Sequence, residues 1–295
     1  VNAMQNKPAQ LTPFQFPNND VPMGAILIRA GRLSPTDAER ILQKQSEENL
    51  QFGAAGLKLG LITKDDIQYA LNRQFDFPCL SPQTSLISTE VTAAFDPGSP
   101  QIEALRALRS QLLLRWFSDA PSRKTLAIVS PNQGDGRSWL TANLAVVFSQ
   151  LGQRTLVIDA NMRQPTLHRW FGLDNRLGLA AVLSRRGGPQ CIQPVPDIRA
   201  LSVLPAGAQP PNPQELLARR AFAGLLKQSA DAFDVVLIDT PPAGQYADAQ
   251  TVSVRADGAL VIARKDSTPV DVLKTLRQEL HQAGAIVCGS VLNQH

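Results

Sequence analysis

The stretch TLAIVSPNQGDGRSWL, residues 125–140, joins an apolar run to a helical segment through a turn bearing Gly134 and Gly136. An apolar run of this length reads as a buried strand, and the two glycines let backbone N–H groups turn inward around an anion at the helix N-terminus. Set against the phosphate-loop pattern G-x-x-x-x-G-K-[ST], Pro131 stands at the first glycine, Gly136 at the second, Arg137 at the lysine and Ser138 at the hydroxyl position. The turn residues Asn132, Gln133, Gly134, Asp135, Gly136, Arg137 and Ser138, with Trp139 behind them, are therefore the candidate nucleotide ligands.

Two later strands end in acids. Leu156-Val157-Ile158 runs into Asp159, and Val235-Val236-Leu237-Ile238 into Asp239, followed by Thr240-Pro241-Pro242. Two carboxylates at strand ends beside a phosphate loop make a Mg²⁺·nucleotide site, with Ser138, Asp159 and Asp239 as metal ligands and Arg137, Asp159 and Asp239 as catalytic candidates. From Thr125 onward short apolar runs alternate with helical segments at 138–151, 214–227 and 270–283. That alternation predicts an α/β fold whose parallel sheet carries helices on both faces and its active edge at the strand C-termini, and the loop motif with the two strand-end acids makes it a P-loop NTPase.

The chain has 295 residues, enough for two domains, and 43% of them are hydrophobic. Its 29 basic and 25 acidic residues are spread along the chain, which gives nucleic-acid binding no special support. No apolar stretch approaches the roughly 20 residues that span a bilayer. Cys79, Cys191 and Cys288 are odd in number and far apart, which fits a reducing cytoplasm rather than a disulfide frame.

Residues 1–20 lack periodicity and read as a flexible leader. Residues 21–80 contain a duplication: at an offset of 29, Gly24, Gly31, Asp37, Leu42 and Gln45 recur as Gly53, Gly60, Asp66, Leu71 and Gln74. In each copy a short helix ends at Gly31 or Gly60, and a second helix starts from Ser34 or Thr63 as N-cap. Ala38, Ile41 and Leu42 in one copy, and Ile67, Ala70 and Leu71 in the other, are expected to face inward. Residues 81–98, rich in Ser, Thr and Pro, read as a linker, and 99–295 as the nucleotide-binding domain, opened by a helix over 101–117.

The second half also resembles a known family. Asp159-Ala160-Asn161-Met162-Arg163 resembles the D-x-D-x-R motif of bacterial tyrosine kinases, Phe233–Pro242 their second acidic strand, and Leu204–Leu217 is similar to their L-P-A-G-x-x-P-P-N-P-x-E-L-L segment. Glu103, Arg106 and Arg109 match the E-x-x-R-x-x-R helix with which these kinases form rings, so the resemblance implies a homo-oligomer. Asn293 stands where related ATPases place an asparagine against adenine. The fused repeat and the arginine in the loop point to the EpsG-type chain-length-determinant tyrosine kinases of exopolysaccharide operons. This implies ATP and ADP with Mg²⁺ as ligands and a cytoplasmic protein peripheral to the inner membrane through its partner. That partner is an inner-membrane polysaccharide co-polymerase, the chain-length determinant with which such kinases govern polymerisation and export. A division-site ATPase of the same superfamily is disfavoured, because Ser130-Pro131-Asn132 lacks that group's extra lysine.

The chain departs from the kinase pattern at Arg137, at Asn161 and in having Tyr69 and Tyr246 as its two tyrosines, with no tyrosine cluster near residue 295. Weak phosphotransfer, or a nucleotide-dependent regulatory scaffold, is the alternative expectation. The N-terminal repeat resembles the MshEN-like domain of type II secretion and pilus assembly ATPases, some of which bind cyclic di-GMP. Pro22 and Gln51 stand where that domain has arginines, so protein docking is expected ahead of cyclic di-GMP.

Overall fold

The computed structural model describes residues 21–74, 80, 82–120 and 122–294. The expected leader and Cys79 lie outside them. The chain divides into two units, residues 1–77 and 78–295.

The first unit holds α1 (Met23–Arg29), α2 (Pro35–Glu48), α3 (Phe52–Lys58) and α4 (Lys64–Gln74). Gly31 and Gly60 take φ of +68° and +67° just past α1 and α3. There the amides of Gly31 and Arg32 reach back to Ile28 and Leu27, and those of Gly60 and Leu61 to Leu57 and Gly56, closing two Schellman motifs. Ser34 and Thr63 cap the following helices by accepting from the amides of Asp37 and Asp66. Arg32 joins the copies, pairing with Asp66 at 2.9 Å and stacking 4.4 Å from the Tyr69 ring. Ala38 and Ile41 are buried as expected, but Leu42 is 54% exposed. It lies about 100° around the helix from Ile41, beyond the narrow face that four short helices can cover.

The second unit is a seven-stranded sheet in the order β3-β4-β2-β5-β1-β6-β7. The strands are β1 (Thr125–Val129), β2 (Thr155–Asp159), β3 (Gln193–Pro194), β4 (Leu201–Leu204), β5 (Val235–Asp239), β6 (Gly258–Arg264) and β7 (Val287–Asn293). All pairs are parallel except β3 with β4. The helices are α5 (Thr92–Phe95), α6 (Pro100–Leu112), α7 (Arg137–Gln150), α8 (Leu167–Trp170), α9 (Leu179–Leu183), α10 (Pro213–Ala218), α11 (Arg220–Ala232), α12 (Asp248–Arg255) and α13 (Val270–Gln282). Alternate strand residues feed two cores. Leu126, Ile128, Val157 and Leu237 join one with α6 and α7, while Ala127, Val129, Ile158 and Ile238 join the other with α11, α12 and α13. Burial on both faces explains why these strands are continuously apolar.

The residues expected as a linker, in their described part 82–98, belong to this unit instead. Ile87, Val91, Ala93 and Ala94 are buried against α7, without the periodicity that would have marked them in sequence. Asn143 on α7 clasps the segment: its Oδ1 accepts from the Ala93 amide at 2.8 Å, and its Nδ2 donates to the carbonyls of Glu90 and Trp139 at 3.0 Å each. Asn143→Ala is expected to cost about 1–3 kcal/mol, since it strands the buried Ala93 N–H and removes a donor from the half-buried Glu90 carbonyl. Urea unfolding should show a lower midpoint with unchanged slope.

Two helices also end earlier than their periodicity implies. The one expected over 101–117 passes at Leu113–Phe117 into a single π-helical turn, which brings Trp116 onto Gly258, where a Cβ would collide with its ring, and Phe117 edge-on to Phe148 at 5.8 Å. The one expected over 214–227 breaks at Arg219, whose ψ of 151° separates α10 from α11.

Candidate functional site

β1, β5 and β2 lie side by side, with Asp159 and Asp239 directly paired in register at the strand ends. Neighbouring strands are about 5 Å apart, so two carboxylates, both fully buried, face each other across one strand spacing. Burial first, and the charge of Asp239 second, hold the Asp159 carboxyl well above the usual carboxylate range. Burial likewise pushes Asp239 up to about 6, against the Ser138 hydrogen bond and the Arg137 charge. Ser138 Oγ donates to Asp239 Oδ2 at 2.6 Å, and Asp239 Oδ1 has no hydrogen-bond partner. A buried, orphaned carboxylate oxygen beside a second acid and a hydroxyl is the donor set a hard divalent cation takes, so these residues fit Mg²⁺.

The loop between β1 and α7 has the shape of an anion cradle. Gly134 and Gly136 adopt φ of +82° and +100°, left-handed values that only glycine takes freely. A Cβ at Gly136 would collide with the Asn293 amide, whose Nδ2 donates to the Asp135 carbonyl at 3.0 Å. Asp135 is turned inward, accepting from the Asn132 amide at 2.8 Å and from Thr268 Oγ1 at 2.9 Å. Gln133 reaches across to Gln164 at 3.0 Å. Beside Gly136 and Asn293 opens a cavity of about 600 Å³ lined by Trp139, Leu105, Leu108 and Leu292. Its walls are mostly apolar, as a planar base requires.

Arg137 is in the loop, but its guanidinium is turned beneath it. Nε donates to the Thr240 carbonyl at 2.9 Å, and Nη1 to the Asn132 carbonyl at 2.6 Å and to Ser130 Oγ. Burial opposes its charge, and the nearby Asp239 and Asp135 favour it. Asn161 closes a local turn, with Nδ2 on the Gln164 carbonyl and Oδ1 accepting the Gln164 amide, while its own amide donates to Asp159 Oδ1. Arg163 makes a two-pronged pair with the buried Asp248 at 2.9 and 3.1 Å and stacks 3.9 Å from the Tyr246 ring. Asp248 and Thr268 were not singled out in sequence, because an acid at a helix start and a loop threonine carry no pattern, and Tyr246 was read there as one of two tyrosines without a place in the site.

The oligomerisation candidates lie apart, on α6. Arg106 pairs with Glu103 at 2.8 Å and donates to the Pro97 carbonyl at 2.7 Å, and Arg109 donates to the Val147 carbonyl at 2.8 Å. The Glu103 side chain is 70% exposed, whereas both arginines are largely committed within the unit.

Sheet order, strand-end acids and glycine cradle together define a P-loop ATPase, and the model of the MipZ ATPase family matches residues 126–282. The tyrosine-protein kinase YwqD of Bacillus subtilis is 33% identical over 209 residues, covering 71% of this chain and 87% of that protein. The putative tyrosine-protein kinase CapB of Staphylococcus aureus is 34% identical over 199 residues, 67% of this chain and 86% of that protein. The solved kinase domain of the Escherichia coli tyrosine kinase ETK superposes with a TM-score of 0.65 at 31% identity, covering 69% of this chain and 79% of that domain. The chain belongs to the bacterial tyrosine-protein kinases.

Proposed function

We propose that the second unit binds Mg·ATP at the strand C-termini and transfers its terminal phosphoryl group to a protein tyrosine, within exopolysaccharide assembly. The observation that carries this reading is the buried Asp159–Asp239 pair, with the orphaned Asp239 Oδ1 and Ser138 facing the glycine cradle. The amides of residues 133–138 hold phosphate oxygens, and Ser138, Asp159 and Asp239 hold the cation. Bound there, Mg²⁺ neutralises charge that develops on the phosphate oxygens. Asn293 and the Trp139 cavity receive the base. Arg137 positions the loop from beneath rather than touching the nucleotide. Calorimetry with Mg·ATP and Mg·ADP, followed by radiolabel transfer to a tyrosine peptide, tests the reading; absence of nucleotide binding rejects it.

A second reading, a nucleotide-dependent scaffold with weak transfer, is favoured by Arg137 and Asn161, both occupied with local bonds. Binding without label transfer, alone or with its membrane partner, would select it.

The partner in our reading is an inner-membrane polysaccharide co-polymerase, with the chain peripheral to the membrane; among the described residues no helix is long and apolar enough to cross one. The N-terminal repeat serves as the docking unit, ahead of cyclic di-GMP binding, since the places of both expected arginines, Pro22 and Gln51, are helix N-caps. Self-association runs head to tail through Glu103, Arg106 and Arg109. Glu103→Arg should lower the mass seen by light scattering while leaving the melting temperature nearly unchanged, because Glu103 is the exposed member. A mass equal to wild type rules this interface out.

A further inference from the structure

The cradle has a cation beneath it and, at its crest, a second one whose side chain no described residue engages. Arg264 ends β6, and its Nη1 lies 3.9 Å from where a Cβ on Gly134 would stand, so its guanidinium arches over the loop. The residue is exposed, and among the described residues no hydrogen bond or ion pair involves its side chain.

Its backbone, by contrast, is tied down. The Arg264 amide donates to Thr268 Oγ1 at 2.9 Å, Thr268 in turn donates to Asp135 Oδ1, and the Lys265 amide donates to the Asn293 carbonyl at 2.7 Å. The segment bearing Arg264 is thus latched to the phosphate loop while its guanidinium stays uncommitted. Asp135, the acid nearest the crest in sequence, is spent on Asn132 and Thr268. A guanidinium, the inward-turned loop amides and the start of α7 all place positive charge on one spot, and an anion is what such a spot lacks.

We infer that Arg264 is a phosphate ligand of the bound nucleotide, supplying the mobile charge that Arg137, locked under the loop, does not. The inference rests on the nucleotide site proposed above and deepens it. A guanidinium reaching from the neighbouring strand presents a planar fork to phosphate oxygens, and an exposed cation adds a salt-sensitive component to affinity.

The experiment is calorimetry with Mg·ATP and Mg·ADP on wild type, Arg264→Gln, Arg264→Lys and Ser138→Ala, at two salt concentrations, with melting curves of the empty proteins. Expected is a loss of roughly tenfold or more in affinity for Arg264→Gln, a smaller loss for Arg264→Lys, and a weaker salt dependence in the Gln variant. The melting temperature of the empty Gln variant should match wild type, since no internal bond is removed. Unchanged affinity in Arg264→Gln together with a loss in Ser138→Ala overturns the role of Arg264 and leaves the site standing. Unchanged affinity in both variants overturns the site as well.

Discussion

Asp239→Asn is expected to make the empty protein more stable and the nucleotide complex much weaker. Asp239 is fully buried beside Asp159, and its carboxyl is pushed from 3.8 up to about 6. A group whose folded value is raised holds its proton more tightly in the folded state, so ionising it destabilises the fold as pH climbs from about 4 to about 6. At pH 7.5 that penalty is fully present and amounts to at most about 3 kcal/mol. An asparagine keeps an acceptor for Ser138 and carries no charge, so its melting temperature should exceed wild type at pH 7.5 and converge with it near pH 4. In the proposed site the same substitution removes one of the two carboxylates that would hold the cation, and phosphoryl transfer should fall by about a hundredfold or more. Apparent Mg·ATP affinity of the wild type should itself rise with pH through about 6, because cation and proton compete for the pair. Equal melting temperatures for wild type and variant at pH 7.5 would show that the acids are not in conflict.

Arg137→Ala is expected to act in the opposite sense on stability. It leaves the Thr240 carbonyl without its donor, takes one of two donors from the Asn132 carbonyl and removes the guanidinium from the Ser130 hydroxyl, and it takes away the buried cation that favours ionised Asp239. Stranded acceptors of this kind cost about 1–3 kcal/mol each at most, and partial rescue by water leaves a net loss of about 2–4 kcal/mol. For a unit of this size that is a fall of roughly 5–15 °C in melting temperature, readable by calorimetry. Arg137→Lys keeps a charge but cannot reproduce the planar fork, so it should recover only part of the stability and bring no gain in phosphotransfer. Sequence reasoning invites the contrary expectation, that a lysine would restore a charge able to follow the phosphates. A gain in transfer by Arg137→Lys would revive it.

The sheet was legible because its strands are short, apolar and bounded by glycine, proline or acid. The position of Asp159 and Asp239 at strand ends could be read directly from VID and LID. Their register was not, since β3, β4 and four helices separate β2 from β5 in sequence, and the two strands meet only in the folded sheet. The loop was legible as a phosphate cradle from two glycines and a serine, but the inward turn of Arg137 was not, because its acceptors Thr240 and Ser130 come from separate strand ends. Segment 82–98 failed for a different reason: its buried residues follow no period, and the side chain that pins it, Asn143, lies 50 residues away. The N-terminal repeat was legible at its glycines and caps, where local bonds decide the conformation, and misleading at Leu42, where only the width of the packed face decides.

The bond from Asn293 to the Asp135 carbonyl spans 158 residues of chain. A Cβ on Gly136 would meet the end of that asparagine side chain and would be strained at its φ of +100°, so the loop and the end of β7 fit closely against each other. During synthesis the loop sequence therefore leaves the ribosome long before the residue that closes over it. A nascent chain folded only through β6 carries every glycine of the cradle yet lacks the amide that braces it, and its contacts are among the most distant the sheet must make. If ATP binds in the cradle as proposed, its capture waits until β7 has joined the sheet.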